Sequence, residues 1–205
     1  MDNYYSQAGQ DQWVTEFYKN KKNGYFLDIG AHNGISINNT YHLEKNLDWN
    51  GICIEADPDI FELLKNNRKC KCVNIAASSK KGSVNFSQRD FSGHISDEGV
   101  SIKSDTMENI LDSLNAPNHI DYMSLDVEGH EIDVLLGFPF DRYSIGIMTV
   151  EHNLYLGSSA NKDGIRDILE SNGYSIIREN VAHEGSEFED WYINNKIIDN
   201  TNFQK

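Results

Sequence analysis

The sequence is short of positive charge. Its 205 residues carry 18 Lys and Arg against 32 Asp and Glu, a net charge of −14. That balance argues against a partner held through phosphate contacts, so nucleic acid is not expected. It equally disfavours anionic membranes and leaves neutral small molecules and glycans open. Long hydrophobic runs are missing too: nothing approaches the ~20 apolar residues of a membrane span, so no membrane insertion is expected. Met1-Asp2-Asn3 has neither a basic start nor an apolar run behind it, so no secretory signal is expected and the location reads as cytoplasmic. Cysteine is scarce and odd in number: Cys53, Cys70 and Cys72. The Cys70-x-Cys72 spacing is too tight for a zinc pair, and Cys53 falls in a predicted core strand, which fits a reducing compartment. No repeat, low-complexity segment or Pro-rich linker divides the chain. A single domain spanning 1–205 is expected, with an N-terminal helical segment (1–22) packed on the core and a polar tail (195–205).

What is present is concentrated in one stretch, Gly24-Tyr-Phe-Leu-Asp-Ile-Gly-Ala-His-Asn-Gly34. Tyr25 to Ile29 has the length of a buried strand. It runs into Asp28 and then two glycines, which let the backbone turn sharply and a ligand come close. A dinucleotide loop needs Gly-x-Gly-x-x-Gly, and here His32 stands at the middle glycine. A phosphate loop needs a closing Gly-Lys-Ser/Thr, which is absent. An acid before a looser two-glycine loop suits a ligand with an ammonium and a carboxylate in place of phosphates, the character of S-adenosyl-L-methionine (SAM).

The rest alternates between strands and helices. Trp13, Val14, Phe17 and Tyr18 recur at helical spacing, and Ser6-Gln-Ala-Gly-Gln-Asp11 before them either caps that helix or reaches over the pocket mouth. A helix is expected over Ser36 to Asn46. Gly51-Ile-Cys-Ile-Glu-Ala-Asp-Pro58 reads as a second strand, with Glu55 placed 21 residues after Gly34 to accept bonds from ribose hydroxyls. Helix 58–67 follows with Pro58 in its first position. Strands are then expected at 72–77 and 83–87. Residues 88–104, around Ser92-Gly93-His94, read as a long polar loop, either a substrate lid or plain surface. A helix over 105–114 precedes a strand over 120–126 that ends at Asp126. Residues 132–144 hold a short helix and a Phe138-Pro139-Phe140 corner. Strand 145–150 ends in Glu151-His152-Asn153. Helix 165–172 leads to a hairpin of two strands, 174–178 and 188–193.

This order predicts an α/β fold with a doubly wound sheet, its ligand at the carboxyl ends of the strands. Asp28, Glu55, Asp126 and Glu151 converge there, a costly arrangement unless cations or donors offset it. Asp126, Glu151 and His152 are candidate ligands for a divalent ion such as Mg2+ or Mn2+. Such an ion would lower the pKa of a substrate hydroxyl. His130 and His152 are the candidate general bases, and Asp126 joins them as a catalytic candidate.

These motifs, with Asn39-Thr40 and the run Ile120-Asp-Tyr-Met-Ser-Leu-Asp-Val-Glu-Gly-His-Glu131, resemble the FkbM-type SAM-dependent methyltransferases over roughly residues 6–193. The resemblance implies the Rossmann-like seven-stranded class I methyltransferase fold, strand order 3-2-1-4-5-7-6. It implies SAM held by residues among Gln7, Asp28, Gly30, Ala31, Asn39, Thr40, Glu55, Ala56, Ala77, Ser78 and Asp126. It implies O-methylation, with a sugar hydroxyl of a glycan or a small-molecule hydroxyl as acceptor. The acid pair Asp126 and Glu151 also looks like the metal ligands of the catechol O-methyltransferase group. Gly129 and His130 stand near the position where that group keeps a lysine, so the base stays open. The alternatives are a nicotinamide-dependent oxidoreductase and a non-catalytic SAM- or glycan-binding module. Oligomeric state stays open.

Overall fold

A computed structural model describes residues 3–89, 92–95, 99–154 and 157–196. Eleven strands and six helices alternate along the described chain. Seven strands make the main sheet: β1 (Tyr25–Ile29), β2 (Asn50–Glu55), β3 (Lys71–Asn74), β8 (His119–Leu125), β9 (Ser144–Glu151), β10 (Tyr174–His183) and β11 (Ser186–Asn194). Their spatial order is β3-β2-β1-β8-β9-β11-β10. Numbered within this sheet alone, that is the expected 3-2-1-4-5-7-6. β3 to β9 pair in parallel, while β11 runs antiparallel to β9 and to β10.

The central strands are mostly apolar because both faces are covered. Leu27, Ile29, Ile52, Ile54, Met123 and Leu125 point to one core, with Met107, Leu111, Val134, Leu135, Ile165 and Leu169 of α4 (Met107–Ser113), α5 (Glu131–Leu136) and α6 (Ala160–Ser171). Phe26, Cys53, Tyr122 and Ile147 point to the other, with Val14, Leu43 and Leu64 of α1 (Gln10–Phe17), α2 (Tyr41–Leu47) and α3 (Pro58–Asn67). The strand period of two therefore sorts each strand between two layers of helix. α1 also closes onto the hairpin, where Trp13 stacks on Trp191 with centroids 4.4 Å apart.

Three expectations need correction. The helix expected from Ser36 starts only at Tyr41. Residues 36–40 are spent on the pocket: Asn38 Oδ1 accepts from the Thr40 and Tyr41 N–H groups, and Ile37 is left-handed at φ 55°. The third strand breaks at Ile75 into β3 and β4 (Ala76–Ala77). β4 belongs to a second, four-stranded sheet of order β4-β7-β5-β6. That sheet takes β5 (Gly82–Arg89), β6 (Ser92–Ile95) and β7 (Val100–Asp105) from the region read as one strand and a loop. Residues 90–91 and 96–98 of the expected loop, and 197–205 of the expected tail, lie outside the described residues. Among the described residues no helix is long and apolar enough to cross a membrane.

Candidate active site

A cavity of about 430 Å³ opens at the carboxyl ends of β1, β2, β4 and β8. It depends on one close approach. Gly30 has φ +85°, and a Cβ there would lie 1.6 Å from the Asp126 carbonyl oxygen. Its N–H and that of Ala31 both donate to the Ile54 carbonyl at 3.0 Å. The loop after β1 is thereby pinned between β2 and β8. Of the residues expected from the sequence, Gln7, Asp28, Gly30, Ala31, Asn39, Glu55, Ala56, Ala77, Asp126 and His130 line this cavity. Thr40, Ser78, Glu151 and His152 do not.

Thr40 faces inward instead. Its hydroxyl donates to Asp28 at 2.6 Å, beside the Asn38 amide at 2.9 Å. Arg68, buried in the same network, donates to Asn38 Oδ1 and Thr40 Oγ1 and stands 3.8 Å from the Asp28 carboxylate. Burial pushes the Asp28 carboxyl above the usual range although Arg68 and these donors oppose it. Thr40 therefore braces the loop from behind, holding the Asp28 carboxylate at the cavity wall. The pocket face of that loop falls to Asn39, whose amide donates to Ser124 Oγ while its Oδ1 is buried with no partner.

Glu55 accepts the His32 N–H at 2.9 Å and the Asp57 N–H at 2.8 Å. Burial nonetheless raises its pKa to about 7. Asp57 caps α3 through the N–H groups of Asp59 and Ile60. Beyond Glu55 the wall is apolar: Ile54, Ile60, Ile75, Phe86 and Ile95. Phe86 and Ile95 come from the second sheet, as register partners on β5 and β6. Sequence reading missed them because only their pairing brings them to the pocket.

Donors and acceptors here fit SAM. The orphaned Asn39 Oδ1 suits an ammonium, Glu55 suits a ribose diol, and the apolar wall suits a flat purine.

At the other end of the cavity the acids gather. Oxygens of Asp126, Glu128 and Glu151 all lie within 4.8 Å of one another. Asp126 and Glu151 are hydrogen-bonded carboxyl to carboxyl, and burial with this mutual repulsion holds Glu151 well above the usual range. Glu128 is raised to about 7 by burial and by Asp126. Glu131 is not part of the cluster's open face. It accepts the Val127 and Gly129 N–H groups and the Asn161 amide, so it closes the loop.

The two histidines separate. His130 lines the cavity, with Nε2 3.3 Å from Ser78 Oγ and Nδ1 3.6 Å from Asp133. Asp133 also accepts the Ser79 hydroxyl at 2.7 Å. His152 turns away from the acids, with 1% of its surface exposed. The Leu154 N–H donates to its Nδ1, which puts a neutral ring's proton on Nε2; that atom stands 3.4 Å from Asp190 without a hydrogen bond. A ring used this way has no lone pair for a metal or a substrate proton. Glu128 takes the place in the acidic group that the sequence reading gave to His152. Its signal was visible, since it falls two residues after Asp126.

Solved structures of methyltransferases share this architecture. An O-methyltransferase from Bacillus cereus in complex with SAH is 10% identical, with TM-score 0.55 over 89% of this chain and 79% of its own. A TehB-like SAM-dependent methyltransferase from Corynebacterium glutamicum is 12% identical, with TM-score 0.53 over 94% of this chain and 88% of its own. A human methyltransferase 10 domain containing protein is 11% identical, with TM-score 0.53 over 95% of this chain and 85% of its own. At such identities the likeness speaks to fold alone. No curated protein matches the chain. Residues 28–176 match the methyltransferase FkbM domain, and with most of the sheet and its glycine loop inside that match, the chain belongs to the FkbM family of SAM-dependent methyltransferases.

Proposed function

We propose that the chain methylates a hydroxyl, on a sugar or similar polyol. The observation that carries this is that His130, Asp126 and Glu128 all line the cofactor cavity, with Glu151 behind Asp126 and Glu128 in one acidic group. SAM supplies an electrophilic methyl group on a sulfonium centre. The protein's task is to place a hydroxyl in line with that group and take its proton. Asp126 and Glu128 offer oxygens that accept bonds from the acceptor's hydroxyls. His130, held by Ser78 and Asp133, is the base that removes the proton.

The three carboxylates are also hard ligands close enough together for a divalent ion. Asp126, Glu128 and Glu151 would hold Mg2+ or Mn2+, which there would bind the hydroxyl and lower its pKa. An ion would equally relieve the repulsion that raises Glu151. The family match argues against the nicotinamide alternative, and His32 at the middle-glycine position agrees with it.

The test is methyl transfer from SAM to a panel of glycosides and matched amino sugars, followed by mass spectrometry, with and without chelator. Transfer to oxygen, lost in His130→Ala, supports the reading. Transfer to nitrogen alone overturns it. SAH binding with no transfer to any panel member favours the non-catalytic module. Full activity in chelator removes the ion and leaves His130 as the base.

A further inference from the structure

A second cavity, of about 300 Å³, lies beyond the acids. Its walls are Gln7, Glu151, His183, Glu184, Ser186 and Phe188. We infer that this is the acceptor subsite, and that it selects neutral or cationic polyols against anionic ones. The inference rests on the proposed methyl transfer to a hydroxyl and adds the acceptor's charge class and its seat.

Position is the first argument. Gln7 and Phe188 line both cavities, so the two spaces meet at these side chains. Glu151 faces the second cavity while its carboxyl is bonded to Asp126, which faces the first. A ligand in the second cavity therefore sits across this carboxyl pair from the cofactor.

The second argument is that the wall is built. Asp11 accepts the Ser6 N–H and hydroxyl, and Gln10 Oε1 accepts the Ala8 N–H at 2.8 Å. Gln7 is bracketed between these two bonds. The same Gln10 donates to the buried Glu189 on β11, which ties the N-terminal turn to the hairpin. On the far side the His152 N–H donates to the Phe188 carbonyl at 2.7 Å and fixes the exit of β9. Asn153 donates to Glu151 Oε2 and keeps a buried Oδ1 without a partner beside it. The hairpin tip is a tight turn, Glu184 and Gly185 both left-handed at φ 49° and 85°.

The third argument is chemical. The lining offers the exposed Glu184 carboxylate, the Glu151 carboxyl that is bonded to Asp126, an amide, a hydroxyl, an imidazole and one aromatic ring. Carboxylates and amides accept from sugar hydroxyls or an ammonium, and an aromatic ring suits the C–H face of a sugar. Among the described residues no Lys or Arg lines the cavity, and His183 lies 4.0 Å from Glu184, so a carboxylate or phosphate on the acceptor would face the Glu184 charge with no fixed cation to hold it. Glu184 stands apart from the group within metal-binding distance, so an ion at that group would leave its repulsion in place.

Saturation-transfer NMR on the SAH-loaded, chelator-treated protein tests this with three probes: methyl β-glucopyranoside, glucosamine and glucuronate. The neutral and cationic sugars are expected to bind, with glucuronate at least ~5-fold weaker. Ser186→Trp, which fills the cavity from an exposed strand position, is expected to abolish all three signals. Glu184→Lys is expected to raise glucuronate about threefold relative to glucosamine, the modest effect of an exposed charge. SAH affinity, measured by calorimetry on each variant, stays as in the parent. Glucuronate binding as well as the others, unchanged signals in Ser186→Trp, or no binding by any probe would overturn the inference. Loss of SAH binding by the parent protein would instead overturn the cofactor reading beneath it.

Discussion

Gly30 and Asp126 approach so closely that a methyl group on the glycine would overlap the aspartate's carbonyl oxygen, at 1.6 Å. Neither backbone has room to yield. The Gly30 N–H is bonded to Ile54 on β2, and the Asp126 N–H donates to the Ile29 carbonyl on β1. Gly30→Ala must therefore part β1 from β8 at the cofactor's edge, besides straining a φ of +85°. We expect a loss of about 3 kcal/mol or more in stability and at least a ~10-fold loss in SAH affinity. Gly34→Ala is the comparison. It carries a similar φ strain at +77°, but its Cβ would meet the Leu64 and Arg68 side chains rather than a backbone carbonyl oxygen at 1.6 Å, so its cost should be smaller. Thermal melts and calorimetry on both variants check the order, and equal effects would remove the special place of Gly30.

That contact also marks what the sequence could say. A strand ending in Asp28 and Gly30 was legible because its apolar run and its glycines are local. The strand-end acids Glu55, Asp126 and Glu151 were legible for the same reason, while the strand order came from the family resemblance these motifs carry. Long-range pairing was not legible. Phe86 and Ile95 meet only through β5–β6 register, in a sheet with too little apolar alternation to announce itself. The late start of α2 was hidden because Asn38 serves Asp28 and Arg68, which a helical period does not record. His152 beside Glu151 looked like a ligand in sequence, but it is turned toward Asp190, which lies on another strand.

Glu55 sets a pH dependence. Burial raises its folded pKa from 4.5 to about 7. A carboxyl raised in the fold destabilises the protein as pH climbs from the unfolded value through the folded one, because the unfolded chain gives up its proton first. Ribose hydroxyls donate to the charged form, so cofactor binding should favour proton release. We expect SAH affinity to rise roughly tenfold from pH 6 to pH 8, following the charged fraction of a group with pKa near 7. Glu55→Gln should flatten that dependence and raise the stability of the ligand-free protein above pH 7. A dependence that survives in Glu55→Gln assigns the titration to another group.

His152 and Asp190 define a purely structural pair, and their loss should read differently from a catalytic one. Asp190 has none of its surface exposed. Its other neighbours are the Asn180 N–H at 2.7 Å, Arg166 at 3.7 Å and Lys162 at 3.9 Å. Removing the imidazole opens a hole in the interior and takes one polar neighbour from a buried carboxylate that keeps the Asn180 N–H and its two cations. His152→Ala should cost about 2–4 kcal/mol in denaturant unfolding. SAH affinity and turnover per folded molecule should stay within about threefold, because the ring faces Asp190 and does not line the cofactor cavity. A stable variant with no turnover would return His152 to the chemistry.

His130 should behave in the opposite way. It lies at the cavity wall, packs no core, and has two polar contacts, Ser78 and Asp133. Removing it should leave the fold and the cofactor site alone, because on the proposed reading SAH is held through Gly30, Asn39 and Glu55. The expected result for His130→Ala is an unchanged melting temperature, an unchanged SAH affinity and a kcat lower by ~10²–10⁴, the range for a positioned base. Asp133→Asn tests the support. It removes the negative charge beside Nδ1 but keeps a group able to bond Ser79, so kcat should fall by about tenfold with KM for SAM unchanged. A chelator control separates two sources of activation. If an ion in the acidic cluster supplies most of it, His130→Ala with added Mn2+ keeps most of its rate, and the same variant in chelator is dead. If the imidazole supplies it, the variant is equally slow in both, and the carboxylates are left to orient the acceptor.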